Sequence, residues 1–120
     1  MKLETIAVHA GGEVDSSTGA VAPPITLSTT FEHGPACEPI HAGYLYIRES
    51  NPTQTRLETA LAELEGGDFA LVFASGMAAG ATLIQVLGSK PHVVFPDDIY
   101  VDFRNMAHYL LPQWEWSVPS

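Results

Sequence analysis

Phe69-Ala-Leu-Val-Phe-Ala-Ser-Gly-Met-Ala-Ala-Gly80 is the stretch whose reading decides the fold. Residues 69–74 form an apolar run of the kind that makes a buried strand. At Ser75-Gly76 the composition changes to one rich in Ala, Leu and Met, which suits a helix. A strand that passes straight into a helix aims unpaired backbone N–H groups at whatever lies beyond the strand's end. Those donors and the helix dipole favour an anion, phosphate above all. Gly76 lets such an anion reach the backbone without meeting a side chain. An ordinary strand-to-helix turn, with small residues chosen for packing, accounts for the same residues.

Outward from this stretch the order is regular. Before it, Asn51-Pro-Thr-Gln54 reads as a helix start: Asn caps, Pro takes the first helical position, Gln reaches back. Leu57, Ala60, Leu61 and Leu64 then share one face, and Gly66-Gly67 ends the helix. After it, the pattern predicts a helix over 76–87 closed by Gly88, and a second strand over 92–95. Pro96-Asp97-Asp98 breaks that strand, and either Asp can cap a further helix over 99–111 that stops at Pro112. Residues 114–118 read as a third strand. The alternation is that of a parallel sheet with crossover helices. Open sheets of this type bind ligands beyond the carboxyl ends of their strands. Ser75, Gly76 and Met77 follow one such end; Asp97, Asp98 and Tyr100 follow the next. Both sets can face one crevice.

Residues 1–50 read differently. Gly11-Gly12 and Ser16-Ser-Thr-Gly19 mark turns, Pro23-Pro24 forbids helix, and helical or strand periodicity is slight. Residues 25–31 suit a strand or an extended arm. An arm laid on a partner and an unanchored terminus are both consistent with this composition.

Composition bounds the rest. The chain has 120 residues, about one small domain. It is 46% hydrophobic and only 16% charged, with a formal net charge of −9. So few charges leave apolar surface to be shared with another subunit or with further chain. The acidic balance argues against nucleic acid. Cys37 is the sole cysteine, which excludes a disulfide framework. The first residues are too polar for a signal peptide, and no apolar run suits a membrane span, so a cytoplasmic setting is expected. The histidines show no ligand spacing, and no metal site is expected. Arg48 brings a planar cation, and Tyr46 points the same way if the segment is extended; together they can clamp a phosphate, or simply be a surface Arg beside a packed Tyr. Tyr100 can stack on a planar ring or pack on the sheet.

Taken together these segments resemble a known family. The residues that carry the likeness are Thr5-Ile-Ala-Val-His-Ala-Gly11, Thr18-Gly-Ala-Val-Ala-Pro-Pro-Ile25, Ser28-Thr-Thr-Phe31, Tyr46-Ile-Arg48, Asn51-Pro-Thr53, Leu57-Glu58, Leu64-Glu-Gly-Gly67, Phe73-Ala-Ser-Gly-Met-Ala-Ala79 and Pro96-Asp-Asp-Ile-Tyr100. In order and spacing they resemble the N-terminal third of the trans-sulfuration enzymes, the pyridoxal-phosphate-dependent Cys/Met metabolism family. The resemblance implies an α/β fold. Residues 1–50 would be an extended N-terminal arm. Residues 51–120 would begin an aspartate-aminotransferase-like (fold type I) cofactor domain with an incomplete parallel sheet.

The resemblance also implies roles. Gly76 and Met77 would be backbone donors to the phosphate of pyridoxal 5'-phosphate. Tyr46 and Arg48 would reach the phosphate held by a neighbouring subunit. Tyr100 would stack on the pyridine ring and take part in proton movement. Where the family usually has Gly, a small residue and Thr or Ser after this tyrosine, the chain has Val101-Asp102-Phe103; Arg104 restores a basic position. Lys2 and Lys90 are the only lysines, and neither matches the family's cofactor-bearing lysine. The expectation is an N-terminal piece of an enzyme that makes or breaks C–S bonds on cysteine, homocysteine or activated homoserine, inactive alone, in a homo-oligomer. The alternatives are a non-catalytic dimerising or phosphate-binding module, or half of an enzyme completed by a complementary chain.

Overall fold

The computed structural model describes residues 2–87 and 92–114. It divides into two compact units, one ending at Val72 and one beginning at Phe73.

In the first unit, α1 (Leu3–His9) is a helix where slight periodicity predicted none. It has no side-chain cap and no buried residue, and it packs on α2 (Pro52–Glu65). Tertiary contact, not propensity, makes so short a helix. Between them the chain is irregular and tied down by single bonds. Phe31 N–H donates to the Leu45 carbonyl at 2.9 Å and Ile47 N–H to that of Thr29 at 3.0 Å. They flank one antiparallel bridge, Thr30 to Tyr46, so 25–31 is an arm with a single pairing point. The start of α2 is as expected: Asn51 Oδ1 accepts from the Gln54 N–H at 2.9 Å, and Pro52 opens the helix. The Gln54 side chain donates onward to Glu58 Oε1 at 2.9 Å. Gly66, left-handed at φ 68°, ends the helix. The apolar face expected on α2 is only partly covered: Ala60 and Leu64 are half-buried, while Leu57 is 51% exposed.

In the second unit, α3 (Gly76–Val86) begins at Ser75, whose Oγ accepts from the Ala78 N–H at 3.1 Å. The closing Gly88 lies outside the described residues. The helix expected over 99–111 is three turns of different pitch. These are α4 (Val101–Asn105), a π turn (Met106–Leu110) and a 3₁₀ turn (Leu111–Trp114). Pro112 does not stop it. Proline lacks the N–H that would bond back one turn, and its ring crowds the carbonyl there, so the preceding turn widens. Neither Asp97 nor Asp98 caps α4; its N-cap is Tyr100, with no side-chain bond. Ile84, Met106, Ala107 and Leu111 form a buried cluster, with Ala81, Val93, Phe95 and Phe103 packed against it.

The expected parallel sheet is not formed among the described residues. Among the described residues nothing longer than an isolated bridge forms, and neither 69–74 nor 92–95 is a strand. The alternation of a strand is present: Val93 and Phe95 are half-buried while Val94 between them is exposed. What is missing is a neighbour. The Val72 N–H goes to Glu58 Oε1 at 3.0 Å instead of to a ladder. Phe69 and Leu71 are exposed, so the run is not a buried strand here. The third expected strand, 114–118, lies outside the described residues except for residue 114, which closes the 3₁₀ turn.

Candidate functional site

The N-terminus of α3 opens onto a cleft of about 450 Å³ lined by Ser75, Gly76, Met77, Tyr100 and Phe103. All five belong to the second unit. Ser75 takes two of the helix's first donors. Its Oγ accepts from Ala78, and its carbonyl accepts from the Ala79 N–H at 3.1 Å. The N–H groups of Gly76 and Met77 are left as the open donors of the helix. A Cβ built on Gly76 would meet nothing within 4 Å, so the glycine is not demanded by packing and the backbone is open to approach.

Tyr100 is 60% exposed, with its ring free beside this helix start. The turn that carries it is held from both sides. The Ile99 N–H donates to the Pro96 carbonyl at 3.3 Å, and the Phe103 N–H to the Tyr100 carbonyl at 3.0 Å. Arg104 donates to the Asp97 carbonyl from its guanidinium. Arg104 is thus a brace for the turn that presents Tyr100.

Tyr46 and Arg48 lie in the first unit. The Arg48 guanidinium carbon sits 4.7 Å from the Tyr46 ring centroid, a cation–π contact. No carboxylate pairs with Arg48 among the described residues, so its charge is available to an anion. A separate hollow of about 520 Å³ in this unit includes Glu13, Arg56 and Glu63 in its lining. Two carboxylates there oppose an anion, and none of the expected site residues lines it.

The structure therefore gathers Gly76, Met77 and Tyr100 in one cleft and stacks Tyr46 with Arg48 in one surface pair. Sequence reasoning gave Ser75 no role, although a serine before a helix is a capping signal. Gly80 has no role in that reading, and Phe103 enters it only as a departure from the resembled pattern. The signal for Gly80 is a lone glycine inside a helical run, which usually has a packing reason. Among the described residues no three His, Cys, Asp or Glu side chains come together as a metal-binding group. No described helix is long and apolar enough to cross a membrane.

Open donors at a helix start that share a cleft with an exposed aromatic ring fit a phosphate joined to a flat heterocycle. The family model of Cys/Met metabolism PLP-dependent enzymes matches residues 4–119. The chain belongs to that family, and its cofactor is pyridoxal phosphate.

Among its relatives, cystathionine gamma-lyase of Bacillus subtilis is 42% identical over 100 residues, spanning 83% of this chain and 26% of the relative. A probable cystathionine gamma-synthase of Herpetosiphon aurantiacus is 46% identical over 96 residues, spanning 80% of this chain and 30% of the relative. The crystal structure of metB from Corynebacterium glutamicum superposes with a TM-score of 0.88 at 32% identity, covering all of this chain and 32% of that one. The chain thus spans between a quarter and a third of the length of these relatives.

Proposed function

We propose that this chain is the part of a trans-sulfuration enzyme that grips the phosphate and ring of pyridoxal 5'-phosphate. The intact enzyme, in this reading, makes or breaks a C–S bond on cysteine, homocysteine or activated homoserine. The observation that carries the reading is the cleft itself: the open N–H groups of Gly76 and Met77 and the exposed ring of Tyr100 line one space. Gly76 and Met77 bind phosphate oxygens through backbone donors. Tyr100 stacks on the pyridine ring and holds or passes a proton at its Oη. Tyr46 and Arg48 extend to the phosphate site of a second copy, where the guanidinium adds a charge-assisted bond. Bound, the cofactor supplies an electron sink for cleavage at an amino acid's carbon skeleton.

The sheet in this reading is parallel and completed by residues other than those described. The lysine that holds the cofactor covalently is assigned to the two-thirds or more of the relatives' length that this sequence does not span. Lys2 precedes α1, and Lys90 lies outside the described residues. We place the protein in a reducing cytoplasm, which keeps the exposed Cys37 a thiol.

A second reading, a non-catalytic dimerising module that gives no turnover in any mixture, is favoured by the arm, where Leu27 is 91% exposed. One experiment separates the two. Pyridoxal phosphate is added to the purified chain, alone and with a lysine-bearing C-terminal chain of a relative. Borohydride reduction and mass spectrometry then read which lysine carries the cofactor, alongside turnover. The proposal expects reversible cofactor binding by the chain alone, and covalent retention with turnover only in the mixture. Turnover by the chain alone, with label on Lys90, would falsify it. In the mixture, Arg48→Ala weakens cofactor retention by about 1.5–3 kcal/mol, the worth of a hydrogen bond to a charged group. Unchanged affinity removes Arg48 from the site.

A further inference from the structure

We propose that Gly80 and Phe103 are a matched pair that sets the width of the cleft, and so the bulk of the phosphorylated ring compound it admits. The inference rests on the cofactor reading above and adds a specificity-determining residue to it. Phe103 lines the cleft with Ser75, Gly76, Met77 and Tyr100, and its ring also packs on the buried cluster of Ile84, Met106, Ala107 and Leu111. A Cβ built on Gly80 would clash with the Cζ–Cε1 edge of the Phe103 ring. The edge of the ring therefore abuts the backbone of α3, and only glycine leaves it that room.

Glycine inside a helix is a poor choice on propensity grounds. At position 80 its reason is the ring it accommodates. The packed cluster beneath the ring has little room to yield, so a methyl group at position 80 drives the ring into the cleft it lines. Removing the ring has the opposite result and leaves the cleft wider. Phe103, one of the three positions after Tyr100 that depart from the resembled pattern, is thus the wall of the site. That wall is apolar, so anion binding falls to the helix donors rather than to a hydroxyl at 103.

The test uses the full chain, as wild type, Gly80→Ala, Phe103→Ala and the double variant. Pyridoxal 5'-phosphate and the bulkier phosphopyridoxyl-alanine are titrated against each, and each is melted without ligand. Gly80→Ala is expected to bind pyridoxal phosphate about tenfold more weakly, from overpacking. Phe103→Ala is expected to raise the preference for the bulkier compound about tenfold. The double variant is expected to bind like Phe103→Ala and to melt no lower than it, because the clash is gone.

An unchanged preference in Phe103→Ala overturns the proposal. So do losses in melting temperature that simply add in the double variant. A wild type that binds neither compound overturns the cofactor reading, and with it the ligand named here. The ligand-free melts then still decide whether positions 80 and 103 are coupled.

Discussion

Up to Val72 the chain is ordered by hydrogen bonds; from Phe73 on it is ordered by buried apolar side chains. The first unit has no buried hydrophobic residue among those described. All four such residues, Ile84, Met106, Ala107 and Leu111, belong to the second. The first unit instead uses caps and loop closures, such as Asn51 on α2 and Asp15 beneath Ser17 and Thr18. Its apolar side chains, Ile25 and Leu27 among them, face outward. A segment held by polar bonds, with its hydrophobic groups uncovered, keeps its driving force for association unspent. The second unit has used part of its own.

The sharpest way to break this contrast is Leu111→Ala. Leu111 is 0% exposed, and its loss should cost the second unit about 3 kcal/mol. Both tryptophans follow Phe73, so urea unfolding read by their fluorescence reports that unit. A change under about 1 kcal/mol removes the buried cluster as the organising force. Asn51→Ala, the comparable blow to the first unit, should cost about 1 kcal/mol by exposing the Gln54 N–H, read as helix lost in far-ultraviolet circular dichroism.

Leu27→Ser should alter stability by less than about 0.5 kcal/mol. It should nevertheless reduce self-association in light scattering, and an unchanged scattering profile means the arm is not the adhesive surface. The smallest effect is expected at Asp15. Hydrogen bonds from the Ser17 and Thr18 hydroxyls and the Thr18 N–H lower its pKa from 3.8 to about 2. A depressed carboxyl stabilises the folded loop above its unfolded value and loses that contribution as pH falls through the folded one. The loop over 15–20 should therefore loosen as pH drops from about 4 towards 2, seen as a shift of the Ser17 and Thr18 amide signals. Amides that hold their positions to pH 2 place the cause elsewhere.

What the sequence disclosed was local chemistry. Asn51, Pro52 and Gln54 announce α2, and Ser75-Gly76 announces α3, because capping depends on a few adjacent residues. The cleft residues Gly76, Met77 and Tyr100 were legible because each follows the end of an apolar run. The helix α1 was not legible, since contact with α2 makes it. The π turn was hidden for a related reason: Pro112 reads as a stop, but its consequence is a wider turn upstream. Strand pairing was not legible, because it is a property of two segments, and alternation in one of them specifies only half. Phe103 could be seen to be unusual, yet its seat on Gly80 joins residues on different helices.

Glu58 offers a last consequence. Its carboxylate occupies the Val72 N–H, a donor that an adjoining strand would otherwise take. An unpaired strand edge is a template for the wrong chain, and natural proteins blunt such edges with charge. Glu58 is a placeholder of that kind. It shields one amide of the run over 69–74 from chance partners, and any strand that pairs there must first displace it.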